Sequence, residues 1–126
     1  MNDQSLKGLR ILVVEDEYLL AMELSDFLSD AGALIIGPVG TLNDTFELIG
    51  KTSLIDGAIL DINLRGETVF PAADKLVERN VPILFTSGYD AAGLPSRFRH
   101  CDLLGKPNDM AKLCETIRRM TAGPGQ

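Results

Sequence analysis

The chain has 126 residues, of which 45% are hydrophobic and 24% are charged, and its formal net charge is -6. This length suits one domain with a sizeable core, and the composition is ordinary for a soluble globular protein. The acidic balance argues against a nucleic-acid partner, whose binding surface would need clustered lysine and arginine. The basic doublet Arg118-Arg119 is better interpreted as a solvated helix face.

The start of the chain and its cysteines indicate the compartment. The first ten residues, MNDQSLKGLR, are polar, and no apolar run approaches the ~20 residues of a membrane span. Cys101 and Cys114 have no CxxC spacing and no nearby histidine ligands, which disfavours a structural metal site. Cys114 falls in a helical pattern and is expected to be a buried free thiol. We therefore expect a cytoplasmic protein without a membrane partner.

Five short apolar runs alternate with helical patterns along the chain. The runs are Arg10–Val14, Ala33–Ile36, Gly57–Asp61, Pro82–Ser87 and Cys101–Lys106. The helical patterns are Leu19–Leu28, stopped by Gly32; Thr41–Ile49, with Thr41 as N-cap; Pro71–Asn80, with Pro71 in the first turn; and Asp109–Met120, capped by Asn108 or Asp109. Strands that alternate with helices predict an α/β fold, in which helices cover both faces of a parallel sheet.

The segment between the fourth and fifth strands departs from this alternation. Residues 88–100 contain Gly88, Gly93 and Pro95, which are unfavourable inside a helix. We expect a short, distorted or mobile helix there. The chain shows no internal repeat and no linker, so residues 1–126 are expected to form a single domain with its core at about residues 9–121.

Polar residues follow four of the five predicted strands. The first strand is followed by Glu15, Asp16 and Glu17, the third ends on Asp61, the fourth ends on Thr86 and Ser87, and the fifth is followed by Lys106 and Pro107. In a parallel α/β sheet, ligands bind outside the carboxyl ends of the strands. Carboxylates, two hydroxyls and one ammonium group are therefore expected to converge on one edge of the sheet.

This set of groups has a chemical rationale. Clustered carboxylates repel one another unless a cation lies between them, and Mg²⁺ takes carboxylate, water and phosphate oxygens as ligands. A carboxylate can also attack phosphorus and form an aspartyl phosphate. The metal ion, the lysine and a hydroxyl would then neutralise the charge of the transferring group.

These motifs, in their order and spacing, resemble the receiver domain of two-component response regulators. They are VVEDE at the first strand, LDINL at the third, FTSG at the fourth and KP after the fifth, and the resemblance spans Arg10 to about Met120. It implies a doubly wound, five-stranded parallel sheet in the flavodoxin-like order 2-1-3-4-5, with helices on both faces.

The resemblance also implies a role for each matching residue. The implied site residues are Asp61 as phosphoryl acceptor, Asp16 as direct metal ligand, Glu15 as metal ligand through water, Asn63 as metal ligand through its backbone carbonyl, Thr86 as switch hydroxyl, Lys106 as phosphate-binding lysine, and Pro107 as the position of a cis peptide bond. The implied cofactor is Mg²⁺ or Mn²⁺.

Two positions of the expected switch depart from the family pattern. Leu103 stands three residues before Lys106, where the family usually has Tyr or Phe, so the resemblance leaves open whether the common switch by an inward-turning ring applies here. FTSGY is similar to a subgroup whose motif reads Phe-Ala-Thr-Gly-Tyr, in which Tyr89 would belong to the switching region. The match is partial, because Ser87 follows Thr86 here.

Simpler interpretations stay open for individual residues. Asp61 would serve as a turn cap, Glu15, Asp16 and Glu17 as helix N-terminal acids, Lys106 as a surface lysine, Thr86 as a buried β-branched residue, and Tyr89 as a surface aromatic residue. The single histidine, His100, has no helical acceptor pattern, which argues against a phosphohistidine.

We interpret the chain as a stand-alone phosphoryl-accepting switch that catalyses only its own phosphorylation and dephosphorylation. Its phosphodonor would be a histidine kinase or histidine phosphotransferase, and its output an unidentified protein partner or onward phosphotransfer, from a monomer or weak dimer. Two alternatives stay open: a pseudo-receiver that binds partners without phosphorylation, and a Mg²⁺-dependent phosphohydrolase. Hydrolases of the haloacid dehalogenase type place their aspartyl nucleophile on the first strand, whereas Asp61 lies on the third.

Overall fold

The computed structural model describes residues 4–88, 94–106 and 109–122. Its elements are β1 (Arg10–Val14), α1 (Tyr18–Asp30), β2 (Leu34–Val39), α2 (Leu42–Lys51), β3 (Gly57–Asp61), β4 (Asn63–Leu64), β5 (Glu67–Thr68), α3 (Phe70–Glu78), β6 (Ile83–Ser87), a 3₁₀ helix (Ser96–Phe98), β7 (Asp102–Gly105) and α4 (Met110–Thr121). The predictions for Tyr89 and Pro107 lie outside the described residues.

The main sheet has five parallel strands in the order β2-β1-β3-β6-β7. This is the predicted order, because β4 and β5 form a separate two-stranded hairpin. Every residue of β3 and of β6 is buried, as expected for central strands that are covered on both faces. One core lies between the sheet and the α2–α3 layer, and the second lies between the sheet and the α1–α4 layer.

Local sequence signals set several helix ends. Thr41 caps α2 by accepting a hydrogen bond from the Asp44 N–H at 3.0 Å, and Asp109 caps α4 by accepting one from the Lys112 N–H at 3.2 Å. Gly32 follows α1 with φ +101°, and a Cβ built there would lie 2.8 Å from the Lys7 Cα. The predicted caps and the predicted stop are therefore confirmed.

The structure corrects three details of the predicted elements. Strand β2 continues to Val39, beyond the predicted end at Ile36, because a register irregularity opposite β1 accommodates Gly37 and Pro38. Helix α3 begins at Phe70 and ends at Glu78 rather than at Asn80. The β4–β5 hairpin was not predicted. No helix in the described ranges is long and apolar enough to cross a membrane.

The described part of the segment before β7 contains only the 3₁₀ helix, which agrees with the expected short, distorted helix. Phe98 is fully buried there, and its ring centroid lies 5.3 Å from those of both Phe70 and Phe85. Arg97 forms an ion pair with Asp74 of α3 at 2.9 Å. These contacts hold the 3₁₀ helix against α3 and β6.

Helices α2 and α3 are joined by one side chain. Arg79, directly after α3, donates hydrogen bonds to the carbonyl oxygens of Ile49, Thr52 and Ser53 at 2.8, 2.7 and 3.0 Å. These carbonyls lie at the C-terminal end of α2, where backbone acceptors lack partners within the helix. The guanidinium group therefore caps one helix from the end of the next.

Candidate functional site

The carboxyl ends of three parallel strands bring the predicted charged residues of the site together. Glu15 and Asp16 directly follow β1, Asp61 is the last residue of β3, and Lys106 directly follows β7. The strands end at nearly the same level, since Val14 is the register partner of Leu60. The convergence expected from the fold is therefore observed.

Lys106 joins the two most buried acids of the site. Its Nζ lies 2.8 Å from Glu15 Oε1 and 2.9 Å from Asp61 Oδ2. The Lys106 side chain is 17% exposed, whereas those of Glu15 and Asp61 are 3% and 5% exposed. One ammonium group is thus shared by two carboxylates in partly desolvated surroundings.

Burial shifts the protonation equilibria of these three groups. Burial raises the pKa of Glu15 to about 7. The Lys106 hydrogen bond acts against this rise, and the negative charge of Asp61 adds to it. Burial also raises the pKa of Asp61, again against the effect of Lys106. Burial by itself would lower the pKa of Lys106, but its hydrogen bonds to Glu15 and Asp61 raise it overall. Lys106 therefore stays positively charged, but its single charge does not balance the negative charges of both carboxylates.

A third acid completes a set of oxygen donors. Glu15, Asp16 and Asp61 each offer a carboxylate oxygen within 4.8 Å of the others, and Asp16 is partly exposed to solvent. When all are ionised, three carboxylates and the one ammonium of Lys106 leave two negative charges uncompensated. Hard oxygen ligands with this charge balance fit a divalent cation of the Mg²⁺ type.

The β4–β5 hairpin, which follows Asp61, contacts two of these acids through backbone amides. The Arg65 N–H donates to Asp16 Oδ2 at 3.1 Å, and the Asn63 N–H donates to Asp61 Oδ1 at 3.3 Å. Asn63 Oδ1 accepts from the Gly66 N–H at 3.0 Å and so closes the turn. The sequence signal for this turn is weak, since only Gly66 marks it.

Two hydroxyl residues end β6. Thr86 is the register partner of Asp61 and is 2% exposed. Ser87, one residue closer to the edge, is 8% exposed, and its carbonyl oxygen accepts from the Lys106 N–H at 2.8 Å. Successive residues of a strand point to opposite faces, so the two hydroxyl side chains leave β6 on different sides. Both lie at the edge that carries the acids.

Leu103, at the predicted switch position, lies in β7 as the register partner of Phe85. Its side chain packs against the core that contains Phe85 and Phe98. The aromatic rings near this position therefore come from β6 and from the 3₁₀ helix, while β7 contributes an aliphatic side chain.

The histidine and the cysteines lie away from the acidic edge. His100 and Cys101 precede β7 at the opposite edge of the sheet, where their Nε2 and Sγ atoms are 3.6 Å apart. Burial and the charge of Asp102 raise the pKa of Cys101 to about 11. Cys114 is a buried free thiol in α4, as predicted. None of the three contributes to the site.

Solved structures of similar chains carry the same fold. SdrG from Sphingomonas melonis Fr1, known from a solution structure, is 37% identical, with a TM-score of 0.78 over 89% of this chain and 95% of that one. A response regulator receiver protein from Sinorhizobium medicae WSM419, known from a crystal structure, is 26% identical, with a TM-score of 0.76 over 92% of this chain and 96% of that one.

Curated sequences give a further match. The transcriptional regulatory protein PdtaR of Mycobacterium tuberculosis is 26% identical over 114 residues, which are 86% of this chain and 54% of that protein. The chain thus spans about half the length of the curated relatives it matches. No protein-family model matches the chain.

Proposed function

Because the chain belongs to the receiver-domain family of response regulators, we propose that it accepts a phosphoryl group on Asp61 from a phosphohistidine of a histidine kinase or histidine phosphotransferase. The observation that carries this proposal is the contact of Lys106 Nζ with both Glu15 and Asp61, at 2.8 and 2.9 Å. In the transfer an Asp61 carboxylate oxygen bonds to phosphorus and the phosphorus–nitrogen bond of the donor breaks. The imidazole nitrogen of the donor keeps the electron pair of the broken bond.

The chain's own groups prepare the acceptor for this step. Asp61 attacks as the carboxylate, so the Lys106 hydrogen bond, which opposes the effect of burial on the Asp61 pKa, favours the reactive form. After transfer the Lys106 ammonium would bind a phosphoryl oxygen, and the Thr86 hydroxyl would donate to another. The proposed switching region includes Leu103 and, by its position in the sequence, Tyr89.

Glu15, Asp16 and Asp61 would hold the divalent cation, Mg²⁺ or Mn²⁺, together with the Asn63 backbone carbonyl. The set fits such an ion because it has three carboxylates. Among the described residues, the Lys106 ammonium is the one cationic group that contacts them. When bound, the cation supplies positive charge that neutralises the phosphoryl oxygens. Asp16, the partly exposed acid, is the proposed direct ligand, and Glu15 acts through water.

Receiver domains are signalling modules, so the proposed output is an interaction with another protein or onward phosphotransfer. Phosphorylation of Asp61 can be tested by measuring the intact mass of the chain after incubation with Mg²⁺ and acetyl phosphate. An Asp61→Ala variant serves as the control. We expect one added phosphoryl group, absent from the variant and absent without Mg²⁺.

Other outcomes of this experiment are equally informative. A phosphoryl group on the Asp61→Ala variant would place the acceptor elsewhere. No adduct on a chain that binds Mg²⁺, together with partner binding that is indifferent to phosphodonor, would support the pseudo-receiver. Steady hydrolysis of a small phosphate ester would support the phosphohydrolase.

A further inference from the structure

The turn between β4 and β5 connects two acids that come from different strands. Its Arg65 N–H donates to Asp16 Oδ2 at 3.1 Å, and the Asn63 N–H at its base donates to Asp61 Oδ1 at 3.3 Å. Asp16 and Arg65 are 49 positions apart in the chain. The hairpin thus links the β1–α1 junction to the end of β3 through backbone hydrogen bonds, beside the link that Lys106 provides.

The turn has a defined backbone conformation. Arg65 and Gly66 both have positive φ, at +53° and +90°, the left-handed region that favours glycine and that suits a tight hairpin. The Asn63 side chain closes the turn through the Gly66 N–H. Leu64 is 1% exposed and anchors the hairpin in the core. The position of the Arg65 amide is therefore fixed by its neighbours in the chain.

We propose that this turn, residues 63–66, positions Asp16 for metal binding. An amide hydrogen bond to one carboxylate oxygen restricts the side-chain rotation of Asp16, while the second oxygen stays available to a cation. The inference rests on the metal-binding part of the proposed function. It adds that the backbone amide of Arg65 acts as a positioning group, although the Arg65 side chain need not touch the ion.

Substitution of Gly66 by alanine tests the proposal, because a Cβ there meets no atom within 4 Å and the effect is confined to the strained backbone. Gly8 provides a matched control: its φ is +80°, a Cβ there also meets no atom within 4 Å, and it precedes β1 at the opposite edge of the sheet. Gly66→Ala and Gly8→Ala should destabilise the fold to a similar degree. Only Gly66→Ala should disturb the Arg65 amide.

The first readout is the Mg²⁺ dissociation constant, measured by titration calorimetry on the full chain. We expect Gly66→Ala to raise it by about ten-fold, the usual effect of losing a hydrogen bond that orients a metal ligand, and Gly8→Ala to leave it unchanged. Asn63→Ala keeps the backbone carbonyl but removes the acceptor for the Gly66 N–H, and is expected to raise the constant in the same direction. Equal constants for the wild type, Gly66→Ala and Asn63→Ala would overturn the positioning role while leaving the metal site intact.

The second readout does not require metal. Amide hydrogen exchange, followed by NMR in the metal-free chain, should show a protected Arg65 amide that loses its protection in Asp16→Ala. Unchanged Arg65 exchange between the two chains would overturn the contact on which the proposal depends. If the wild type binds no Mg²⁺ at all, the metal-binding part of the proposed function fails, and the positioning role fails with it.

Discussion

The two edges of the main sheet carry charge in different ways. At the amino edge, acids have separate partners near the surface: Asp102 forms an ion pair with Arg119 at 3.0 Å, and Asp56 accepts a hydrogen bond from the Arg10 N–H at 2.8 Å. At the carboxyl edge, Glu15 and Asp61 are buried and share the single ammonium of Lys106.

Unbalanced, desolvated charge thus distinguishes the carboxyl edge, where we propose the phosphoryl chemistry, from the amino edge. A solvated ion pair contributes only about 0–1 kcal/mol, and its loss leaves groups that water can hydrate. Buried carboxylates in excess of their cations have shifted pKa values, as Glu15 and Asp61 do, and such groups favour the arrival of a further cation. Matched substitutions at the two edges test this difference, and changes within the carboxyl edge sharpen it.

The largest effect is expected from removing the acceptor charge. Asp61→Asn should abolish the phosphoryl adduct, because an amide lacks the nucleophilic carboxylate. Asp56→Asn, the same change at the amino edge, should leave the adduct intact. Intact mass after incubation with acetyl phosphate and Mg²⁺ measures both. A normal adduct on Asp61→Asn would refute the acceptor assignment.

Removing the shared cation should have the next largest effect. Lys106→Met leaves two buried carboxylates without their partner, and we expect the free energy of unfolding of the metal-free chain to fall by about 2 kcal/mol at pH 8. Arg119→Met, at the exposed ion pair, should lower it by less than about 1 kcal/mol. Urea denaturation compares the two. Equal losses would mean that the two edges do not differ in charge burial.

The raised pKa of Glu15 should be visible in the pH dependence of the free energy of unfolding. The unfolded chain releases this proton near pH 4.5, whereas the folded chain keeps it until about pH 7, so the Glu15 contribution makes unfolding more favourable as pH rises between these values. We expect the unfolding free energy of metal-free Glu15→Gln, relative to the wild type, to rise across this window and to level off above it. Urea denaturation at a series of pH values tests this. A flat difference would mean that the pKa of Glu15 is not raised.

The smallest change concerns the two hydroxyls of β6. Thr86→Val keeps the branched shape but removes the hydroxyl that we propose donates to the phosphoryl group, and phosphorylation should slow by about ten-fold, the effect of losing one hydrogen bond. Ser87→Ala serves as the matched variant. The rate of adduct formation distinguishes them, and slowing confined to Ser87→Ala would assign the role to Ser87.

Much of the site follows from strand ends, which the sequence marks clearly. Gly57–Asp61 is apolar until its final carboxylate, and the parallel sheet then places Asp61 beside Glu15 and Lys106. The strand order was predicted only from the resemblance to a family, because the alternation of strands and helices does not determine which strands are neighbours.

The hairpin and the end of β2 could not be predicted for physical reasons. Two-residue strands are too short to show an alternating pattern, and Arg65 adopts a positive φ that glycine usually supplies. Gly37 and Pro38 ordinarily end a strand, but the shifted register opposite β1 allows β2 to continue past them. In both cases tertiary hydrogen bonding overrides the local signal.

The guanidinium group of Arg79 has a mechanical consequence. Because it holds three carbonyl oxygens at the end of α2, a displacement of α3 must carry that end of α2 with it or break three hydrogen bonds. Helix α3 begins two residues after the hairpin that contacts Asp16 and Asp61. A displacement of the hairpin that reached α3 would therefore also reach the end of α2, unless these three hydrogen bonds broke.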